Sequence, residues 1–270
     1  MDEVAKYNTR RWRALVEADA LFTRPYLDLD ADSARKRLDR EERLGKLSGK
    51  DVLCLACGGG QQSAAFALLG ANVTVLDLSE SQLERDREAA RHYNIDIITL
   101  QGDMRDLSCF GKSAFDIVYH GYSIGFVPDP QAVFKQVAGV LRPGGIYHFN
   151  CANPFFIGLK ESDWNGEGYV LKRPYVGGAE IIHEDQDWVY DRSKTGEPVP
   201  SPREYRHTLS SLMNGLVEQG FLIFHASESS NIYPDPGAEA GTWDHLVWYA
   251  PPWLSFWAWY RPDILPRTTT

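Results

Sequence analysis

The chain has 270 residues, 43% of them hydrophobic, and a formal net charge of −9. That length buries a substantial core without help from metals or disulfides. The acidic balance and the absence of a basic stripe argue against nucleic acid as a partner. No apolar run reaches the ~20 residues of a membrane span, and MDEVAKYNTRRW has no signal-peptide core.

The four cysteines, Cys54, Cys57, Cys109 and Cys151, lie in or beside predicted strands, the usage of a reduced, cytoplasmic protein rather than a disulfide framework. The basic groups around Arg10–Arg13 and Arg35–Arg43 sit in helical patterns and read as solvated faces.

Strand and helix patterns alternate from about residue 50. DVLCLA is a continuous apolar run that ends in glycines, as expected of a central parallel strand. QQSAAFALLG reads as a helix stopped by Gly70, NVTVLD as a second strand and ESQLERDREAARHYN as an exposed helix. DIITLQ and AFDIVYH supply the third and fourth strands. DPQAVFKQVAGVL places Val133, Phe134, Val137, Val140 and Leu141 on one helical face. RPGG then breaks the chain before a fifth strand, IYHFNCA.

Beyond Asn153 the sequence turns aromatic, acidic and turn-rich. Alternation around Gly177-Gly178 predicts a β-hairpin insertion. A helix returns with Leu209, Leu212, Met213, Leu216 and Val217 on one stripe. FLIFHASES and HLVWYA read as the last two strands, ahead of an aromatic C-terminal tail. The whole predicts an α/β fold, a doubly wound, seven-stranded, mostly parallel sheet. Its parts are an N-terminal helical cap (1–44), a sheet domain (45–152 and 204–250), an insertion (153–203) and a tail (251–270).

The turn Gly58-Gly59-Gly60 between a strand and a helix lets a ligand approach the backbone, and the following helix aims free N–H groups at it. Asp77 ends the second strand, beside that loop, where its carboxylate can accept from a ribose diol. These features fit a nucleoside-containing cofactor but do not choose between a dinucleotide and S-adenosylmethionine, since Gly58-x-Gly60-x-x-Ser63 also passes as a loose dinucleotide fingerprint. The third strand ends in QGDMRDL, placing Asp103 and Met104 near the expected adenine position.

Five segments in order resemble the motifs of class I S-adenosylmethionine-dependent methyltransferases: VLCLACGGGQQS, VTVLDLS, GDMRDL, FDIVYHGYSIGFVPDP and VFKQVAGVLRPGGIYHFN. The resemblance implies a Rossmann-like, small-molecule methyltransferase whose cofactor is S-adenosyl-L-methionine. It places Gly58 and Gly60 by the methionine part, Asp77 by the ribose, and Asp103 with Met104 by the adenine. Ala56, Cys57, Leu78 and Gly102 belong to the same cofactor set, with His120 near the amino-acid moiety. Tyr7, Asn8 and Trp12 resemble a lid segment, and an ordinary packing helix is the competing reading.

Two positions depart from the pattern. Cys54 stands where an acid is common, and Ala56 replaces the first loop glycine. Gln61, Gln62 or a backbone carbonyl would then hold the cofactor ammonium. Cys54-x-x-Cys57 reads as buried packing rather than a metal or redox centre, because zinc needs two further ligands.

A methyl on sulfonium is already electrophilic, so the protein's task is to position the acceptor for in-line displacement. His120 and Tyr122, at the carboxyl end of a central strand, are the catalytic candidates. No metal is expected, since HGYSIGF carries no acid cluster. Asn153, His183, His207, His245, Trp164, Trp188 and Tyr190 are further acceptor-side candidates, whereas His148 reads as packed.

The insertion's acids (Glu161, Asp163, Glu180, Glu184, Asp185, Asp187) and tryptophans read first as a solvated hairpin with a small satellite core; the alternative is a pocket wall that favours an amine or aromatic acceptor. The expectation is transfer to oxygen or nitrogen by a monomer or homodimer, against an NAD(P)-dependent oxidoreductase or a non-catalytic cofactor-binding module.

Overall fold

The computed structural model describes residues 1–183, 199–228 and 235–264. Helices α1 (Glu3–Glu17) and α2 (Ala31–Leu38) precede the sheet. Then follow β1 (Asp51–Leu55), α3 (Gln62–Leu68), β2 (Asn72–Asp77), α4 (Glu80–Tyr93), β3 (Ile97–Gln101), β4 (Phe115–Tyr122), α5 (Pro130–Val140) and β5 (Leu141–Ala152). The second half supplies β6 (Glu180–Ile182), β7 (Arg203–Tyr205), α6 (Leu209–Glu218), β8 (Phe221–Glu228), α7 (Trp243–Tyr249) and β9 (Trp253–Tyr260).

Seven strands form one sheet in the order β3-β2-β1-β4-β5-β9-β8, parallel through β5 and antiparallel beyond it. The order reverses between β1 and β4, so a crevice opens at the carboxyl ends of those strands. β6 and β7 form a separate antiparallel pair. Among the described residues no helix is long and apolar enough to cross a membrane.

The alternation of side chains along β1 divides the core. Leu53 and Leu55 join Val118, Phe134, Tyr147, Phe149, Leu212 and Leu216 on the face covered by α5 and α6. Val52 and Cys54 join Phe66, Val75, Leu83 and Tyr119 on the face covered by α2, α3 and α4. Cys54 is fully buried there, and burial pushes its thiol well above the usual range. It packs as a small apolar residue.

Four readings of the elements change. HLVWYA lies in α7, not in a strand: the Thr242 side chain accepts from the His245 N–H and caps the helix. The last strand is WLSFWAWY, which sequence analysis assigned to the tail. β9 lies between β5 and β8, with Leu254, Phe256 and Ala258 on one core face and Trp257 on the other. Its dense aromatic content hid a period of two. β5 also begins earlier than expected, because Leu141 pairs with Phe115 before the register jumps to Ile117 and Ile146, leaving RPGG as a bulge. On α6, Leu212 and Leu216 are buried while Met213 and Val217, about 100° further round the helix, are exposed.

The turn after β1 is held from α4. The buried Asp86 carboxylate accepts from the backbone N–H of Gly59 (3.1 Å) and Gly60 (3.0 Å) and from the Ser63 hydroxyl. A Cβ on Gly60, at φ +69°, would stand 2.5 Å from the Arg85 carbonyl oxygen. Gly60 is therefore required for loop-to-helix packing.

Burial drives the Asp86 carboxyl up to about 7, against the lowering pull of its hydrogen bonds and with the Asp77 charge adding to the rise. A carboxyl whose folded value is raised favours folding in its protonated form. That contribution is complete below the unfolded value near 3.8 and is lost as pH rises through about 7. Asp86→Ala strands the loop donors and is expected to lower the unfolding free energy by about 3 kcal/mol. Urea denaturation of the variant should also lack the decline in stability that the parent shows between pH 4 and 7.5.

Candidate active site

A cleft at the carboxyl ends of β1 to β4 contains about 620 Å³ of space, counting its open mouth. Ala56 and Gly58 make its floor. Ala56 holds φ +47°, a conformation that favours glycine, and its N–H donates to the Leu76 carbonyl at 2.7 Å. A Cβ on Gly58 would stand 2.7 Å from the Gln82 Cβ and 3.0 Å from the Asp77 carboxylate, so only glycine fits between β2, α4 and the loop.

Asp77, Leu78 and Gln82 form one wall. Asp77 accepts from the Gly58 N–H (2.9 Å) and the Ser79 N–H (2.8 Å), and burial raises its carboxyl against those bonds. A carboxylate has about four acceptor positions, so capacity remains toward the cleft. The buried Gln82 Oε1 has no hydrogen-bond partner among the described residues.

Gly102, Asp103 and Met104 close the end beside β3. Asp103 accepts from the Arg105 N–H at 2.9 Å and pairs with its guanidinium at 2.6 Å. The same guanidinium reaches Asp2, the N-cap of α1, at 2.6 Å and holds that carboxyl well below the usual range.

The roof is α1, through Val4, Ala5, Asn8 and Trp12. Asn8 donates to the Phe126 carbonyl at 3.0 Å, and Trp12 stands edge-on to Phe22 and Phe126 with ring centroids 5.8 Å apart. The opposite wall is Tyr122, Ser123, Phe126 and Val127.

The structure thus brings Ala56, Gly58, Asp77, Leu78, Gly102, Asp103, Met104, Trp12 and Tyr122 together around one cleft. Five other expected cofactor contacts lie outside its lining. The Cys57 thiol is buried, with Sγ accepting from the Gly121 N–H at 2.8 Å. The Gly60 N–H is held by Asp86. Gln62 lies on α3, and the neighbouring Gln61 amide donates to the Phe22 and Arg24 carbonyls. The Tyr7 hydroxyl donates to the Ser201 carbonyl at 2.8 Å.

His120 is fully buried, its ring nitrogens 3.0 Å from the Tyr147 hydroxyl and 2.7 Å from Ser123 Oγ. Burial pushes it down to about 3, so it stays neutral. It stands behind Ser123 and fixes that residue at the cleft rather than reaching the cleft itself.

Of the wider candidates, Asn153 donates to the Pro251 carbonyl and His207 contacts the Ile124 carbonyl. His245 contacts the Tyr169 hydroxyl at 2.7 Å inside a cluster with Trp164 and Tyr249. His148 stacks on Trp257 as expected of a packed histidine. Asp163 pairs with Lys172 and Glu180 with Arg203. Glu184, Asp185, Asp187, Trp188 and Tyr190 lie outside the described residues.

Sequence reasoning missed Gln82, Ser123, Phe126, Val127, Arg105 and Glu204. SIGFV follows Tyr122 directly, so its proximity was available. Gln82 required the orientation of α4. Glu204 is remote in sequence yet accepts from the Tyr122 hydroxyl at 3.0 Å.

The donor set suits S-adenosylmethionine. Asp77 keeps acceptor capacity at the cleft and Met104 adds an apolar side chain to its lining. Gly58 provides space that any side chain would fill.

Residues 53–149 match the model of a methyltransferase domain. A Bacillus subtilis protein described as the uncharacterized methyltransferase YbaJ is 29% identical over 88% of this chain and 92% of its own. The ubiquinone biosynthesis O-methyltransferase of Cronobacter sakazakii is 29% identical over 66% of this chain and 71% of its own. The fold is similar to that of an S-adenosylmethionine-dependent methyltransferase from Mesorhizobium loti, with a TM-score of 0.58, 24% identity, and coverage of 86% of this chain and 99% of that one. The glycine turn alone left two cofactors open; these matches place a methyltransferase domain at residues 53–149, within a fold like that of S-adenosylmethionine-dependent methyltransferases.

Proposed function

We propose that the protein transfers the methyl group of S-adenosylmethionine to an oxygen or nitrogen of a small-molecule acceptor, in the cytoplasm and without a metal. The reading is carried by the convergence of Asp77, Gln82, Asp103 and Met104 on the cleft that Tyr122 faces from the other side. Oxygen is the favoured acceptor atom, in keeping with the similarity to an O-methyltransferase. The cofactor, when bound, supplies an electrophilic methyl group on sulfur.

In this reading Asp77 accepts from the ribose hydroxyls, beside the Gln82 side chain. Asp103, oriented by Arg105, receives the adenine amine, and Met104 packs on its ring. Ala56 and Gly58 leave their backbone open to the methionine portion. Trp12 and Phe126 exclude water and present aromatic faces, which suits an aromatic acceptor. Catalysis then consists chiefly of holding acceptor and methyl carbon in line.

Asp77→Ala is expected to weaken S-adenosylhomocysteine binding tenfold or more, since hydrogen bonds to a charged group contribute about 1.5–3 kcal/mol. Calorimetry provides the check; an unchanged dissociation constant would remove Asp77 from the ribose site. Cys54→Ser should hold its affinity within a few-fold while losing about 1–3 kcal/mol of stability to the buried hydroxyl. Binding of NAD(P) in place of S-adenosylhomocysteine would sink the assignment of the cleft.

A further inference from the structure

Glu204 is a buried carboxylate on β7 that comes to the cleft wall from a part of the chain 82 positions beyond Tyr122. Tyr122 ends β4, lines the cleft with 36% of its surface exposed, and donates its hydroxyl proton to Glu204 Oε2 at 3.0 Å. Gly125 borders the carboxylate, where a Cβ would stand in ordinary contact with Oε2 at 3.4 Å.

Among the described residues, four titratable or charged groups face Glu204. They are Tyr122 from β4, His183 from the end of β6 with Nε2 3.9 Å from Oε1, Arg11 from α1, and Cys151 from β5. Burial pushes His183 down to about 4, so it is neutral at physiological pH.

We propose that Tyr122 and Glu204 act as a proton-accepting pair for the methyl acceptor, Tyr122 as the catalytic residue that touches it and Glu204 as the positioning residue behind. This rests on the cleft being the methyl-transfer site. The acceptor O–H or N–H gives its proton to Tyr122 Oη as the Tyr122 proton moves to Glu204 Oε2. The new bond joins the acceptor to the methyl carbon, and the sulfur–carbon pair of electrons stays on sulfur. One positive charge on sulfur and one negative charge on Glu204 are thereby lost together. Glu204 then returns its proton to solvent.

A lone phenol, with an ordinary value near 10, is a poor base at neutral pH. Passing the proton on means that Tyr122 never carries a net charge. Burial raises the Glu204 carboxyl, opposed by the Tyr122 hydrogen bond and the Arg11 charge, which moves it toward the pH at which a general base works best.

The test uses the full chain loaded with S-adenosylhomocysteine and labelled with ¹³C at the glutamate carboxyls, with Glu204→Gln assigning the resonance. Glu204 should titrate above the ordinary glutamate range. Tyr122→Phe, by removing a donor to the carboxylate, should move that titration higher still. Reciprocally, Glu204→Gln should bring tyrosinate absorbance in at lower pH than in the parent.

A second arm follows labelled methyl from S-adenosylmethionine into an equimolar mixture of phenols, alcohols and primary amines. The rate should rise with pH through the Glu204 titration. Tyr122→Phe and Glu204→Gln should each lower it about 100-fold, the double variant should fall no further, and Glu204→Asp should restore part of it. An ordinary Glu204 titration insensitive to Tyr122→Phe, or single variants transferring label within twofold of the parent, overturns the pair. Failure of the parent to bind S-adenosylhomocysteine counts against the cleft assignment instead.

Discussion

The site depends on one carboxylate that never faces it. Asp86, inside α4, takes the N–H groups of Gly59 and Gly60 and the Ser63 hydroxyl. In many sheets of this class the N-terminal amides of the first helix serve an anion; here an internal carboxylate satisfies the loop. That arrangement fixes the turn at the end of β1, presses Gly60 against α4 and brings Gln82 and Asp77 against Gly58. The cleft is left with acceptors and an open backbone, which suits a ligand rich in hydroxyl and amine donors.

The same economy of charge recurs around the cleft. Arg105 ties Asp103 to the cap of α1, so the β3 end of the cleft and the roof share a guanidinium. His120, neutral and buried, orders Ser123. Glu204 stands behind Tyr122. Ser123 and Tyr122, which line the cleft, are each held by a residue that does not. A preorganised polar wall of this kind needs little rearrangement when a ligand arrives.

Much of this was legible in the order of residues. The run of β1 and its glycines, the acids at Asp77 and Asp103 and the alternation of strands and helices located the sheet and most of the cleft lining, because each is a local property read at a fixed spacing. The aromatic strand β9 was not legible, since WLSFWAWY lacks the polar-apolar contrast that marks a period of two. Nor was α7, whose short apolar run reads equally well as a strand. His120 occupies the expected position at the end of β4, but its ring is buried in the core, while Tyr122, beyond the irregularity in the β4–β5 register, stands at the opening.

The sequence by itself determined the layered α/β fold, the place of the glycine turn and the identity of the acidic residues nearest to it. These follow from hydrophobic periodicity and from glycine's freedom of backbone conformation. Only the tertiary structure decided which nearby groups face the cleft and which face one another: Asp86 with the loop, His120 with Ser123, Glu204 with Tyr122. Those pairings join segments far apart in the chain, and the burial that sets their protonation exists only once the layers have closed.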